Sequence, residues 1–309
     1  MISPLSNKNS PHISVIIVTY NNADEIVRCL ESLPQNTAKC RLQIIIIDNA
    51  STDGTQSKLR AFQQSQLFDF ELHIVLNTVN KGFTAAINQG IALASAPYIL
   101  FLNPDTVVPQ NALSTLVVCC QYDDRIGVVA PQLRNADGSV QASCRRFPRH
   151  RDVFFNVFGL AILFRKSRYF DGWKMGDFDH TQKCFVDQPQ GAFLLSKREV
   201  IEKVGLLDEG FKMFFSDVDW CRRVVQAGYK ILFTPEVHVI HHKGKSIIPN
   251  RPEMIHSSHR SFIRYFWKHY RAWVWWIPNV LVSILLVFSG FFRYFCAKLK
   301  TVNLEKKYP

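Results

Sequence analysis

Short apolar runs alternate with amphipathic segments along the first third of the chain. Residues 13–20 (ISVIIVTY) and 42–50 (LQIIIIDNA) are continuous, largely β-branched runs. This pattern is typical of parallel strands that are buried on both faces. Later apolar runs at 72–77, 98–102 and 127–133 predict three further strands.

Apolar residues with helical spacing lie between these strands. In residues 23–33 (ADEIVRCLESL), Ile26, Leu30 and Leu33 share one helical face. Residues 84–94 (TAAINQGIALA) are a second predicted helix. Strand–helix alternation at this spacing predicts the α/β class with a mostly parallel, doubly wound sheet.

Polar clusters follow three of the predicted strands, namely TYNN (19–22), DNASTDGT (48–55) and NPDT (103–106). Open α/β sheets bind their ligands at the carboxyl ends of the strands. Three such clusters at one edge are harder to explain as turns than any one of them alone. We therefore expect a ligand site at this edge of the sheet.

Composition divides the chain into a polar N-terminal tail (1–11), a globular domain (12–245) and a C-terminal tail (246–309). Regular alternation ends near residue 133, so the domain has a regular first half and a less regular second half. Residues 134–186 predict surface loops and short elements, which either shape a second substrate pocket or form a solvated insertion.

The C-terminal tail is aromatic, aliphatic and basic, and we expect it to be helical. Residues 272–292 form a run without charged side chains, and this run is long enough to span a bilayer. Pro278 and Gly290 interrupt this run, and basic residues flank both of its ends. These features favour a broken helical hairpin that lies on an anionic membrane surface. A spanning helix and a soluble packing or homodimer helix remain alternatives.

The balance of 37 Lys and Arg against 25 Asp and Glu gives a formal net charge of +12. Such a charge indicates an anionic partner, which is a nucleic acid, a membrane surface or a phosphorylated ligand. The basic residues do not form one stripe with interleaved aromatics, so we expect no nucleic-acid partner. No G-x-G-x-x-G follows the first strand, which argues against a dinucleotide oxidoreductase.

The eight cysteines show neither C-x-x-C pairs nor ligand-like spacing with histidine. Buried free thiols in a reducing compartment are the simplest interpretation. Because the first residues contain no apolar signal core, we expect the globular domain to be cytoplasmic.

Six motifs in order resemble one known family: VIIVTYNN, IIIIDNASTDGT, NKGFTAAINQGI, YILFLNPDT, VDQPQGAFLLSKREVIEKVGLLDEGF and FFSDVDWCRRVVQAGYKILFTPEVHVIHHKGKS. Together they make the chain similar to family 2 glycosyltransferases of the GT-A fold, in the bacterial rhamnosyltransferase-like branch. The resemblance implies that 12–245 is a catalytic domain. Its half 12–133 would bind the nucleotide, and 134–245 would bind the acceptor.

The resemblance implies a site for Mg²⁺ or Mn²⁺ at Asp105, completed by His241, with His242 as the alternative. Carboxylate and phosphate oxygens suit these hard cations. The family's usual Asp-x-Asp is Asn103-Pro104-Asp105 here. We therefore expect Asn103 to contact ribose or sugar instead of metal.

Asp217 aligns with the family's catalytic base, which takes the proton of the acceptor hydroxyl. Asp219 lies two residues further on, and residues two apart on a helix point to different sides. We expect Asp219 to have a structural role, paired with Arg222 or Arg223.

The resemblance also implies a set of nucleotide-sugar contacts. Asp48 would accept a hydrogen bond from a pyrimidine N3–H, beside a wall formed by Thr19, Tyr20 and Asn21. Asp53 could instead cap the following helix, and Lys81 could be an ordinary exposed lysine. The remaining implied contacts are Gly82, Asn88 and Gly191.

These features imply an inverting, metal-dependent transferase that uses a dTDP- or UDP-sugar, with dTDP-L-rhamnose as the favoured donor. The implied acceptor is a lipid-linked oligosaccharide of a bacterial cell-surface polysaccharide, such as lipopolysaccharide. The expected location is the cytoplasmic face of the plasma membrane. A UDP-hexose donor and an inactive sugar-nucleotide-binding protein are the alternatives.

Overall fold

A computed structural model describes residues 10–36, 39–65, 68–242 and 251–305. The predicted N-terminal tail therefore lies almost entirely outside the described residues. The basic loop expected after His242 also lies outside them.

The first half alternates strands and helices as follows: β1 (Ile13–Thr19), α1 (Ala23–Ser32), β2 (Leu42–Asp48), α2 (Thr55–Ser65), β3 (Glu71–Leu76), α3 (Phe83–Leu93), β4 (Tyr98–Leu102), β5 (Thr106–Val107), α4 (Ala112–Gln121) and β6 (Ile126–Arg134). The second half contains β7 (Cys144–Arg145), α5 (His150–Val157), α6 (Leu160–Leu163), β8 (Cys184–Val186), β9 (Gln188–Pro189), β10 (Phe193–Lys197), α7 (Arg198–Val204), α8 (Ser216–Gln226), β11 (Lys230–His241), α9 (Arg251–His269) and α10 (Trp276–Glu305).

The central sheet has the strand order β3-β2-β1-β4-β10-β6-β11-β5, with β8 paired to β11. Strands β1 to β4 are parallel, and β11 is parallel to β6. Strand β10 runs antiparallel between β4 and β6. The predicted α/β class and mostly parallel sheet are confirmed.

Both faces of the sheet are covered, as the continuous apolar runs predict. Ile44 and Ile46 of β2 lie in one core cluster, and Ile45 and Ile47 lie in the cluster on the opposite face. Successive side chains of a strand point to opposite faces, so a strand buried on both sides needs an uninterrupted apolar sequence.

The strand register brings the polar clusters to one edge. Thr19 of β1 pairs with Asp48 of β2, and Ile17 pairs with Leu102 of β4. Leu102 also pairs with Phe193 at the start of the antiparallel β10. The residues just before β10 therefore meet the carboxyl ends of the parallel strands.

Helix α9 is attached to the preceding globular domain by charged and aromatic contacts. Lys268 contacts Asp208 and Asp219, each at 2.7 Å. The Tyr265 hydroxyl accepts a hydrogen bond from Arg222 at 2.7 Å. Packing therefore does not follow the boundary at residue 245 that composition predicts, since α9 is bound to the domain that precedes it.

Helix α10 runs antiparallel along α9. Trp267 of α9 donates to the Ser283 hydroxyl at 3.1 Å. Further along, Gly290 of α10 meets the ring of His259, where an added Cβ would lie 3.1 Å away. The two helices form a hairpin whose turn lies between His269 and Trp276, and glycine permits their close approach. The predicted break of the apolar run at Pro278 and Gly290 is wrong, because α10 continues through both residues. Pro278 lies in the first turn of α10, where its missing N–H costs no helical hydrogen bond.

Candidate active site

A cavity of about 510 Å³ opens at the carboxyl edge of the sheet. Residues from both halves and from α9 line it. They include Tyr20, Asn49, Asn80, Gly82, Asn103, Asp105, Gln190, Gly191, Lys212, Phe215, Asp217, Met254 and Ser257. Six residues expected at the site from the sequence are in this list, namely Tyr20, Gly82, Asn103, Asp105, Gly191 and Asp217.

Three oxygen atoms at this edge are buried without a hydrogen-bond partner among the residues that the structure describes. They are Thr19 Oγ1, Asp48 Oδ1 and Asp105 Oδ1. Leaving a buried polar atom unpaired costs about 1–3 kcal/mol, so such groups are rare without a reason. Their clustering at three neighbouring strand ends indicates that a bound ligand supplies the missing partners.

Asp105 faces His241, the last residue of β11. The distance between Asp105 Oδ1 and His241 Nε2 is 3.4 Å, and the imidazole is buried. The short pairing of β11 with β5 brings these two residues together. His242 donates its backbone N–H to the Asp105 carbonyl at 2.8 Å. The end of β11 and the residue after it therefore contact both the backbone and the carboxylate of Asp105.

Gln141 determines which nitrogen of His241 carries the proton. The Gln141 amide nitrogen donates to the His241 carbonyl at 2.8 Å and to Asn135 Oδ1 at 2.7 Å. Its amide oxygen lies 3.0 Å from His241 Nδ1, and therefore accepts the proton of that nitrogen. In the neutral imidazole, Nε2 is then an acceptor that faces the carboxylate of Asp105.

Two acceptors at this distance need a proton or a cation between them. Among the described residues, no group of three His, Cys, Asp or Glu side chains gathers around a common centre. A carboxylate and an imidazole nitrogen nevertheless fit a divalent cation that takes its other ligands from phosphate and water. The residues present therefore fit the implied cation, with Asp105 and His241 as its protein ligands.

Asp217 is the second residue of α8, and its carboxylate faces the cavity. Its Oδ2 accepts the backbone N–H of Gly191 at 3.1 Å and the side-chain amide of Gln188 at 3.3 Å. Burial raises the pKa of Asp217, and hydrogen bonds from Val218, Gly191 and Gln188 oppose that rise. A carboxylate with a raised pKa is a stronger base than an exposed one.

Gly191 is required by this arrangement. A Cβ at residue 191 would lie 3.0 Å from Asp217 Oδ2 and 3.1 Å from its Cβ. A side chain here would therefore displace the carboxylate, which explains a small residue where the domain's second half meets the cavity.

The start of α8 is held by the C-terminal hairpin. Phe215, just before the helix, has a left-handed backbone with φ 69°. Its ring packs on Phe262 and Tyr265 of α9, with centroids 4.5 and 5.6 Å away. Left-handed conformations in residues other than glycine are costly and persist where surrounding packing supports them. Helix α9 thus helps to position Asp217, the second residue of α8.

Asn21 and Asp53 join two loops outside the cavity lining. The Asn21 amide oxygen accepts the Thr52 N–H at 2.8 Å. Asp53 accepts the backbone N–H of Ala23 and of Thr55, each at 3.1 Å. Asp53 therefore ties together the starts of α1 and α2, which agrees with the capping alternative.

Lys81 and Asn88 also lie outside the cavity lining. The Lys81 side chain is exposed, and its backbone N–H donates to Asn49. The Asn88 amide is buried and donates to the Leu207 carbonyl at 2.9 Å and to Glu209 at 3.0 Å. The structure thus gives Asn88 a different contact from the one expected, because its polar atoms hold α3 to the loop after α7.

Several cavity residues were not expected from the sequence. Asn49 donates to Asn80 at 2.9 Å, and Asn80 in turn accepts the Gly82 N–H. Met254 and Ser257 come from α9, which we assigned to the tail. Asn49 and Asn80 each lie in the loop after a predicted strand, and that position could have indicated them. Nothing in the sequence places α9 at the cavity.

A larger cavity, of about 1080 Å³, lies at the opposite edge of the sheet. Its lining includes His12 and Tyr98, which stand at the amino ends of β1 and β4. Its lining includes Arg198, whose Nη2 is buried without a partner among the described residues, whereas the three unpaired oxygens all lie at the carboxyl edge. We therefore assign the functional site to the carboxyl edge.

A family model described as glycosyl transferase family 2 matches residues 14–184. The match covers more than half of the chain, and the chain belongs to the family 2 glycosyltransferases. Within that family it belongs to the rhamnosyltransferase-like branch. The predicted family and branch are confirmed.

Two curated relatives extend over most of the chain. An N-acetylglucosaminyl-diphospho-decaprenol L-rhamnosyltransferase of Mycobacterium tuberculosis is 26% identical over 312 residues, which cover 94% of this chain and 98% of that protein. Glycosyltransferase AglE of Haloferax volcanii is 28% identical over 228 residues, which cover 74% of this chain and 66% of that protein.

Solved structures share the fold. A mannosyltransferase from Pyrobaculum calidifontis, in complex with GDP-Man and Mn²⁺, superposes with a TM-score of 0.57 at 20% identity. The superposition covers 96% of this chain and 76% of that protein. GalNAc-T7 with UDP, GalNAc and Mn²⁺ superposes with a TM-score of 0.58 at 17% identity, over 87% of this chain and 50% of that protein. The GT-A fold is thereby confirmed.

Proposed function

We propose that this glycosyltransferase transfers L-rhamnose from dTDP-L-rhamnose to a lipid-linked glycan acceptor, with inversion at the anomeric carbon. The carrying observation is that one cavity is lined by Asp217, whose pKa is raised, and by Asp105, which faces His241. The relative that covers nearly the whole chain is an L-rhamnosyltransferase for a diphospholipid-linked N-acetylglucosamine. That name supports both the donor and the class of acceptor.

Asp217 performs the proton transfer in this proposal. As the acceptor oxygen attacks the anomeric carbon, its proton passes to Asp217, and the bond to the nucleoside diphosphate breaks on the opposite face. The N–H of Gly191 and the amide of Gln188 orient the carboxylate for this step. One displacement of this kind inverts the configuration.

Asp105 and His241 would hold the divalent cation, Mg²⁺ or Mn²⁺. A bound cation stabilises the negative charge that develops on the leaving diphosphate. Asp48 and Thr19 each present an unpaired buried oxygen that suits the N–H and hydroxyl donors of a pyrimidine nucleoside. Because thymine and uracil share the N3–H, this contact accepts both dTDP- and UDP-sugars.

Donor binding tests this proposal. Calorimetry with the full chain would compare dTDP-L-rhamnose, dTDP-glucose, UDP-glucose, UDP-galactose, UDP-N-acetylglucosamine and GDP-mannose, with and without Mg²⁺ or Mn²⁺. We expect cation-dependent binding of dTDP-L-rhamnose. Binding of a UDP-sugar instead would retain the mechanism and overturn the donor. Binding of no donor would contradict both this proposal and the alternative of an inactive sugar-nucleotide-binding protein.

We further propose that α10 attaches the protein to the cytoplasmic face of the plasma membrane. Residues Trp273–Phe295 are long and apolar enough to cross a bilayer by length and composition. Large side chains on its outer face are exposed, including Ile277, Leu281, Phe288 and Phe291. Basic residues at both ends of this stretch suit the anionic inner leaflet.

The contacts of α10 favour a helix that lies in the membrane surface over one that spans it. The middle of its apolar stretch packs along α9, through Ser283 and Gly290. Helix α9 carries Arg264 and Lys268, which contact Asp208 of the catalytic domain. A spanning α10 would draw these charges into hydrocarbon, which is costly. A flat α10 buries only its outer face.

A further inference from the structure

An exposed apolar surface stands on α5 and α6, outside the active site and outside α10. Phe154 of α5 and Phe158, which directly follows this helix, are exposed and pack on each other with ring centroids 4.4 Å apart. In α6 the exposed fractions are 60% for Ile162 and 73% for Leu163, and the adjacent Phe164 is also exposed. We call these five side chains the apolar knob. Exposed apolar groups of this density mark an interaction surface.

The knob stands on a well-packed base. Val153, on the other face of α5, is buried in a cluster with Val282 and Leu286 of α10. His150, at the start of α5, lies 2.8 Å from the Asn279 side chain of α10 and stacks on Trp275. The exposure of the knob is therefore a fixed feature of the fold, and α5, which carries part of the knob, packs directly on the helix that we propose lies on the membrane.

The charges around the knob are positive. Arg149, Arg151, Arg165 and Lys166 are exposed, and Arg168 is also exposed but pairs with Asp177 at 2.6 Å. The acid within this stretch, Asp152, is buried and accepts the N–H of Arg149 at the start of α5. An apolar surface with a cationic rim is complementary to a bilayer that contains anionic lipid.

We propose that the apolar knob inserts into the anionic lipid surface as a second membrane contact beside α10. This inference rests on the proposed membrane attachment of α10. A single helix lying flat leaves the protein free to roll about the helix axis. A second contact on α5 and α6 stops that rotation, and thereby fixes how the active-site cavity faces a lipid-linked acceptor.

A second copy of the chain is a weaker occupant for this surface. A twofold interface sets the same patch of each subunit against itself, so the cationic rims of two knobs would meet. Like charges at such short range are repulsive. The same rim is attracted to anionic lipid.

Vesicle flotation of the full chain tests the proposal. Vesicles of phosphatidylcholine alone would be compared with vesicles that also contain phosphatidylglycerol. The test variant is Ile162→Asp with Leu163→Asp. The matched control is Val118→Asp, because Val118 of α4 is also 60% exposed and lies far along the chain from the knob. A third variant, Phe288→Asp with Phe291→Asp, tests α10 itself.

We expect the knob variant to lower partitioning into anionic vesicles by about tenfold or more, and the Val118 control to leave it unchanged. Arg165→Gln with Lys166→Gln should lower binding to anionic vesicles selectively. In hydrogen exchange, anionic vesicles should slow the amides of residues 158–168 in the unaltered chain. That readout does not depend on any substitution being tolerated.

The outcomes separate the two proposals. If the α10 variant releases the protein while the knob variant and the exchange of 158–168 do not change, the second contact is wrong and the α10 attachment stands. If the unaltered chain does not bind vesicles, both proposals fall. If the knob variant abolishes lipid-free dimerisation instead, a second copy covers the knob and the lipid proposal is overturned.

Discussion

Helix α8 carries two acids, Asp217 and Asp219, whose surroundings differ on its two sides. On the cavity side, Asp217 accepts hydrogen bonds from Gly191 and Gln188, which are neutral. On the hairpin side, Asp219 contacts Arg223 at 3.0 Å, Lys268 at 2.7 Å and His269 at 2.8 Å.

As a result, the pKa values of the two carboxyl groups are shifted in opposite directions. Burial dominates at Asp217 and raises its pKa. Burial would also raise the pKa of Asp219, but His269, Lys268 and Arg223 together lower it. Desolvation acts on both groups, so the presence of cationic partners decides the sign. The proposed catalytic base and a structural ion-pair centre thus lie two residues apart.

Asp217→Asn should produce the largest change. We expect turnover to fall by about 10²–10⁴-fold, since a positioned base contributes that much, while the folded structure and donor affinity persist. Single-turnover kinetics and donor calorimetry on the same preparation would measure both. A variant that keeps near-normal turnover would show that another group takes the proton.

Asp219→Asn should change stability instead of chemistry. Removing one partner of a buried ion pair leaves Arg223 and Lys268 inadequately compensated, at a cost of about 3 kcal/mol. Urea unfolding would measure this loss, and turnover per folded molecule should stay within about twofold. A large loss of turnover without a loss of stability would abolish the contrast between the two sides of α8.

Gln141→Leu should weaken cation binding on the far side of the cavity. Without the amide oxygen, His241 Nδ1 loses its acceptor and Nε2 is no longer fixed as a ligand. Loss of such an outer partner costs about 10–100-fold in metal affinity. Mn²⁺ titration followed by electron paramagnetic resonance would measure it. Gln132→Leu is the control, because Gln132 is a buried glutamine whose side chain binds His180 and Arg134 instead.

Lowering the pH should loosen the hairpin through Asp208. Burial would raise the pKa of Asp208, but hydrogen bonds from Lys268, Gly210 and Arg264 hold it at about 2. An unperturbed aspartate has a pKa of about 3.9. The folded state then binds fewer protons, so this stabilisation is present above about pH 4 and is lost as the pH falls toward 2. Acid unfolding should lose this component in Asp208→Asn.

The parallel half of the fold could be predicted because its strands are buried on both faces. Runs such as 42–48 can be recognised as buried strands from the sequence alone, and the polar residues after them indicate the edge of the sheet where a ligand binds. The direction of β10 could not be predicted, since an isolated apolar strand does not reveal whether its neighbours run with or against it. Its reversal is what carries Gly191 to the cavity.

The organisation of the second half of the domain could not be predicted from the sequence, for physical reasons. Phe154 of α5 and Phe158, just after this helix, are exposed, so the apolar residues here do not follow the pattern of a helix that buries one face in a core. The role of Gln141 depends on contacts with His241, 100 residues away. The α9 contacts of Lys268 with Asp208 and of His269 with Asp219 join residues 60 and 50 positions apart, which is why composition alone separated α9 from the domain.

The attachment of α9 also bears on where the chain can be cut. A version shortened at residue 245, as composition suggests, would remove the aromatic support of Phe215, two of the hydrogen-bond partners of Asp219 and the cavity wall at Met254. A version that ends after Tyr270 would keep all three and omit α10. The minimal soluble enzyme is therefore expected to end between α9 and α10.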